Sequence, residues 1–251
     1  MENEEPEASA VLENNMFSNP NRINEKKVMK KKTKPNKKDK QIVFTNEQMD
    51  IFLDAPYHDI EWGTPDPIEP EDSDPHGWIQ LYSGRKFYTL KPRVEDIDIE
   101  DISHSLSNMC RFTGHVKQFY SVAQHSVLVS HLCGDDNALY GLLHDASEAY
   151  LVDMPRPIKR LETFSNFRAI EHNIMSIIAK KFGLPDIEPS AVKAADIKIL
   201  ATEARDLMAP LHPDWIQPCE PYPFKIDPLP PAEAKDLFMD RYIELTHGKN
   251  Y

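Results

Sequence analysis

Cysteine is scarce in this chain. Cys110, Cys133 and Cys219 are odd in number and widely scattered, and no CxxC spacing occurs. That excludes a disulfide framework, argues against a zinc knuckle and fits a reducing compartment. Long apolar runs are missing too, since nothing approaches the ~20 residues that a membrane-spanning helix needs. The start, Met1-Glu2-Asn3-Glu4-Glu5, is acidic and has no apolar stretch of the kind a secretory signal carries. A soluble, cytoplasmic protein with no membrane partner is the expectation. Net positive charge is also absent: the formal charge is −12, which argues against a general nucleic-acid binder. Glycine is outnumbered, with 8 glycines against 21 prolines. Many of the prolines cluster at 55–75 and 210–231, which marks both stretches as irregular.

The charge that is present is unevenly spread. Residues 26–40 hold nine lysines and one aspartate, about +8, so the rest of the chain holds about −20 of the total −12. Residues 1–40 therefore read as a disordered tail, acidic and then basic. Residues 41–77 read as a short helix after Thr45 followed by an acidic, proline-rich linker. Residues 78–251 form the main domain. It opens with two aromatic-rich runs around Ser83-Gly84, which predict a small β-hairpin.

From there the apolar spacing is helical. It predicts helices over 98–109, 121–132, 137–150, 164–182, 190–208 and 232–247, with Gly183 closing the fourth. No internal repeat is present. The fold class predicted is all-α, a bundle of about six main helices.

Ten histidines are present, and most have ordinary readings. His58, His76, His212 and His247 read as surface residues and His172 lies on a polar helix face. His131 ends a helix, where a cation suits the dipole. Two positions differ. His125 sits within an apolar helix, Val122-Ala123-Gln124-His125-Ser126-Val127-Leu128. The run Leu142-Leu143-His144-Asp145-Ala146-Ser147-Glu148 sets an imidazole and two carboxylates within five residues of a small, apolar helix. Burying such groups costs several kcal/mol unless they are paired or bind a cation. Asp196 is a further carboxylate among small and apolar residues. His125, His144, Asp145 and Asp196 thus form a candidate metal site. Mixed nitrogen and oxygen ligation suits Mn²⁺, Fe²⁺, Co²⁺ or Zn²⁺.

A histidine, then a His-Asp pair, then a distant aspartate on an all-α scaffold resembles the HD-domain metal-dependent phosphohydrolase superfamily. The likeness covers roughly residues 100–208. Arg111-Phe112-Thr113-Gly114-His115 ahead of Gln124-His125 resembles its 5′-deoxynucleotidase branch. So does His144-Asp145-Ala146-Ser147-Glu148 followed by Asp153-Met154-Pro155-Arg156-Pro157-Ile158-Lys159. That branch includes phage dATP triphosphohydrolases.

The resemblance implies that His125, His144, Asp145 and Asp196 hold one divalent metal and that Glu148 is the catalytic carboxylate. It implies that Arg111 contacts phosphate and that Asp153 and Lys159 line the substrate pocket. Phe112 stands where the branch often has tryptophan beside the sugar, and Gln124 where it often has glutamate. The implied substrate is a deoxyribonucleotide, with a purine favoured. A monophosphate would release phosphate and a triphosphate would release triphosphate, the latter with Mg²⁺ as a possible ion; Lys117 and Arg156 are candidate extra contacts. A homo-oligomer in the cytoplasm of a bacterium or phage-infected cell is also implied. Two alternatives stand beside this reading: a phosphodiesterase on cyclic or other nucleotide diesters, and a non-catalytic metal-binding protein tethered by its basic tail.

Overall fold

A computed structural model describes residues 77–247 except 216 and 218. The expected tail (1–40) and nearly all of the expected short helix and linker (41–77) lie outside the described residues. The hairpin is present as β1 (Ile79–Gln80) and β2 (Lys86–Phe87), paired antiparallel with Ile79 opposite Phe87. Gly84 takes φ 81 in the turn, a conformation open to glycine at little cost. The buried Asp101 carboxylate fastens the turn. It accepts from the Ser83 amide at 2.8 Å, the Ser83 hydroxyl at 2.9 Å and Arg85 at 2.9 Å.

Among the described residues seven α-helices follow: α1 (Ile99–Asn108), α2 (Val122–Leu132), α3 (Ala138–Leu143), α4 (Arg156–Lys159), α5 (Ser165–Phe182), α6 (Ser190–Leu207) and α7 (Pro231–His247). Six are main helices and α4 is a single turn. The apolar spacing located them to within a residue or two at most ends. Asp98 caps α1 by accepting from the Glu100 amide, and Ser121 caps α2 by accepting from the Gln124 amide. Gly183 ends α5 at φ 67, as its position predicted.

The expected helix over 137–150 is broken. It ends after Leu143, and Ala146–Tyr150 winds as a tighter 3-10 turn. The His144 side chain claims a helix-end carbonyl, with Nδ1 2.8 Å from Gly141 O. Asp145 then leaves helical geometry at φ −98, ψ 12, and the Glu148 amide donates to Asp145 O at 3.0 Å. Glu148 therefore does not stand one α-turn beyond His144.

Helix α2 is the centre of the bundle. Val122 through Val127, Val129 and Ser130 are buried, and only Leu128, His131 and Leu132 toward its C-terminal end are partly exposed. On one side lies a core built from Ile102, Leu106, Leu142, Leu143, Ile174, Ile178 and Phe238. On the other lie Tyr120, Val129, Tyr140, Val192 and Ile199. Each large aliphatic side chain so buried is worth roughly 1.5–3 kcal/mol. The proline-rich stretch after α6 is irregular, as predicted, and is strapped down by side chains. Gln124 donates to Asp227 O at 2.8 Å and accepts from the Leu229 amide at 2.9 Å. A carboxylate could not donate that first bond, which gives Gln124 a reason to be an amide. Among the described residues no helix is long and apolar enough to cross a membrane.

Candidate metal centre

The N-terminal half of α2 is buried all round, and His125 within it is fully buried. The end of α3 brings His144 beside it, and α6 brings Asp196. Their ligand atoms all lie within 4.8 Å of one another, and this trio could hold a metal ion. His125 Nε2 is 3.3 Å from His144 Nε2 and 3.3 Å from Asp196 Oδ1. Donor atoms about 2.0–2.2 Å from one cation sit roughly 3.0–3.5 Å apart at tetrahedral or octahedral angles. Asp145 borders the trio. Its Oδ2 is 3.5 Å from His125 Nε2 and 3.3 Å from His144 Nε2, and it also accepts from Arg111 at 3.4 Å.

The imidazoles are held for this task. His144 Nδ1 is tied to the Gly141 carbonyl, and His125 Nδ1 lies 2.7 Å from Glu203 Oε1. With each Nδ1–H donating outward, both Nε2 atoms face the centre as acceptors. The donor set thus fits a divalent cation of the borderline transition-metal class. Its charge points the same way. Burial and Arg111 press the His125 pKa down, but Glu203 and Asp196 more than reverse them and bring it to about 9. Burial would raise Asp196, yet His125, His144 and Arg111 hold it below the usual carboxylate range. The cluster attracts positive charge, and a cation must displace the proton held there.

Around the trio stand the other expected residues. Arg111 opens a loop closed at its base by Arg111 N to Tyr120 O (2.9 Å) and Val122 N to Met109 O (3.0 Å). Its guanidinium is mostly buried, touching Asp145 and, at 3.2 Å, Glu203 Oε2. Arg111 Nε has no hydrogen-bond partner among the described residues. Phe112 and Thr113 both take φ 55, which costs about 1–2 kcal/mol for each residue with a side chain. The Arg111 guanidinium carbon lies 5.4 Å from the centroid of the Phe112 ring. Glu148 is buried, and its Oε2 has no hydrogen-bond partner among the described residues. Burial, then Asp145 and Asp153, push its pKa well above the carboxylate range against the pull of Arg111 and Lys159. Asp153 is raised by burial and feels Arg111, Asp145 and Lys159.

Lys159, whose charge reaches Glu148 and Asp153, has its Nζ 2.6 Å from Glu171 Oε1 on α5. Lys117 and Arg156 are exposed. His131 is not a cation: burial and Arg241 lower its pKa to about 4.

Glu203 was not singled out by the sequence reading. It follows Asp196 by seven residues, two turns along the same face of α6, and that spacing was the available signal.

The chain is 43% identical to the uncharacterized protein YfdR of Escherichia coli (strain K12) over 173 residues, 67% of this chain and 96% of YfdR. The chain belongs to the YfdR family. An uncharacterized protein of Rhodobacter capsulatus is 35% identical over 143 residues, 52% of this chain and 72% of that protein. No protein-family model matches the sequence. For this member of the YfdR family, a helical unit carrying a His/His/Asp cluster able to hold a metal fits an HD-type fold.

Proposed function

We propose that this protein is a metal-dependent phosphohydrolase of deoxyribonucleotides that cleaves between the α-phosphorus and the nucleoside 5′-oxygen. One observation carries the reading: the His125/His144/Asp196 trio adjoins a buried guanidinium, and Glu148 lies within electrostatic reach of both Asp145 and that guanidinium. The likeness of residues 111–125, 144–148 and 153–159 to the HD-domain deoxynucleotidases supports it.

A divalent cation held by His125, His144 and Asp196, with Asp145 beside them, would polarise a phosphoryl oxygen and make water a usable nucleophile at neutral pH. Arg111 offers planar N–H donors to the remaining phosphate oxygens. Its pairing with Asp145 and Glu203 fixes the plane before substrate arrives. Glu148, whose affinity for a proton burial raises, can give a proton to the 5′-oxygen as the P–O bond breaks and the new P–O bond to water forms. Phe112 supplies a flat apolar wall for the sugar, and Asp153 a polar group beside it. Lys159 contributes positive charge from its seat on Glu171. A monophosphate would give nucleoside and phosphate; a triphosphate such as dATP would give nucleoside and triphosphate. The enzyme is proposed to act in the cytoplasm as a homo-oligomer.

The test is a panel of dNMPs, dNTPs and their ribonucleotide counterparts with Mn²⁺, Co²⁺ or Mg²⁺, with products resolved by chromatography. Nucleoside release that depends on metal and is lost in Asp145→Ala supports the reading. No nucleoside from any substrate with any metal would refute it.

A further inference from the structure

We propose that Glu203 is a positioning residue that couples the metal centre to the anion-binding arginine, so that cation and phosphate each bind more tightly in the other's presence. The inference rests on the reading above, in which Arg111 receives the phosphate. Glu203 is fully buried on α6 and serves three donors. Its Oε1 takes the Tyr120 hydroxyl at 2.8 Å and lies 2.7 Å from His125 Nδ1; its Oε2 takes Arg111 at 3.2 Å. One carboxylate therefore holds the back of a metal-ligating imidazole and one end of the guanidinium. The other end of that guanidinium reaches Asp145 Oδ2 at 3.4 Å, which itself faces both Nε2 atoms.

This arrangement makes Arg111 a bridge between Glu203 behind the centre and Asp145 at its edge. Without a cation, Arg111 is the positive partner of Asp145. A bound cation takes over that role and weakens the hold of Asp145 on the guanidinium. Glu203 keeps the guanidinium in place meanwhile, so the released N–H groups face an incoming anion instead of swinging away. Such coupling is reciprocal by thermodynamic necessity, and factors of 5–150 are typical. An amide at this position keeps the shape but cannot accept from His125, Tyr120 and Arg111 together. Turning its oxygen to His125 sets its NH₂ against the guanidinium, donor facing donor.

The experiment is calorimetric titration of the full-length protein with Mn²⁺ and with inorganic phosphate, each in the presence and absence of the other. In the wild type, Mn²⁺ should tighten phosphate at least fivefold, and phosphate should tighten Mn²⁺ by the same factor. Glu203→Gln should reduce that factor to below twofold. Tyr120→Phe, which leaves the His125 and Arg111 contacts, should keep it within twofold of wild type. If Glu203→Gln does not fold, Glu203→Asp carries the test: it keeps the charge but is too short to span both partners, and should lose most of the coupling. Independent binding of the two ligands in the wild type, or full coupling in the Glu203 variant that folds, overturns the inference and leaves the phosphohydrolase reading standing. A wild type that binds neither ligand overturns both.

Discussion

Gly141 is the residue through which packing should control the metal centre. It lies on α3 where that helix presses against α2, and a Cβ built there meets Cys133 Sγ at 2.6 Å, Ser130 Cα at 3.1 Å and Ser130 N at 3.2 Å. Ordinary contact begins near 3.4 Å. Gly141→Ala must therefore lengthen the sulfur contact by almost an ångström and the contacts to the α2 backbone by a few tenths. The sulfur has room to turn only at the expense of its weak bonds to carbonyls, the shortest 3.4 Å to Asn137 O. The backbone cannot turn at all, so α3 itself must shift.

The stability change is modest, because overpacking costs about 1–3 kcal/mol while alanine in a helix interior recovers about 0.5–1 kcal/mol. A net loss of about 1–2 kcal/mol lowers Tm by roughly 2–8 °C in a domain of this size. The effect on the centre should be larger. Gly141 O is the acceptor for His144 Nδ1 at 2.8 Å, and His144 Nε2 lies 3.3 Å from His125 Nε2 on the opposing helix. Sites of this kind tolerate displacements of about 0.5 Å, and disturbing a ligand's supporting bond typically costs 10- to 100-fold in metal affinity. Calorimetry with Mn²⁺ should show at least a tenfold weaker Kd for Gly141→Ala. Adding Cys133→Ala removes the 2.6 Å contact and should restore part of the affinity, the Ser130 backbone contacts withholding the rest. Wild-type affinity together with an unchanged or raised Tm in Gly141→Ala would refute this reasoning.

Two further variants test the carboxylate of the site and the packing beneath it. Glu148→Gln should keep Mn²⁺ binding but lose turnover by about 10²–10⁴-fold, the usual worth of a general acid. It should also flatten the stability profile. The folded-state pKa of Glu148 is raised above its unfolded value, so its contribution to stability is fullest below the unfolded value, about 4.3, and declines as pH rises toward the folded one. Melts of the metal-free protein should therefore show the variant gaining on wild type as pH rises above about 4.3; parallel curves would count against the assignment. Phe87→Ala removes a fully buried ring stacked on Tyr150 at 4.1 Å and should cost about 3–5 kcal/mol by chemical denaturation. Since Tyr150 closes the turn that carries Glu148, turnover in the folded variant should fall as well; a variant as stable as wild type would show that the hairpin is not part of the core.

Most of the helices were legible because their apolar residues recur at the period of a helix that buries one side. The hairpin was legible because aromatic runs flank Ser83-Gly84. The end of α3 was not. Residues 137–150 keep a good helical composition throughout, and the break arises from a side chain, His144, that bonds back to the Gly141 carbonyl. Nothing in local propensity encodes that bond. The metal trio was legible for the opposite reason, since His125, His144 and Asp196 are polar groups where the pattern calls for apolar ones. Lys159 shows the limit of reading by type. Its residue type suits an anion contact, but type does not encode that Glu171, twelve residues on, holds its ammonium at 2.6 Å. Glu203 is legible only through its spacing. It sits in Ala201-Thr202-Glu203-Ala204-Arg205-Asp206, where a carboxylate looks like ordinary helix surface. Its distance of two turns from Asp196 marks it as facing inward. A fully buried carboxylate must find donors, and on that face the groups in need of an acceptor are the His125 ring, the Tyr120 hydroxyl and the Arg111 guanidinium.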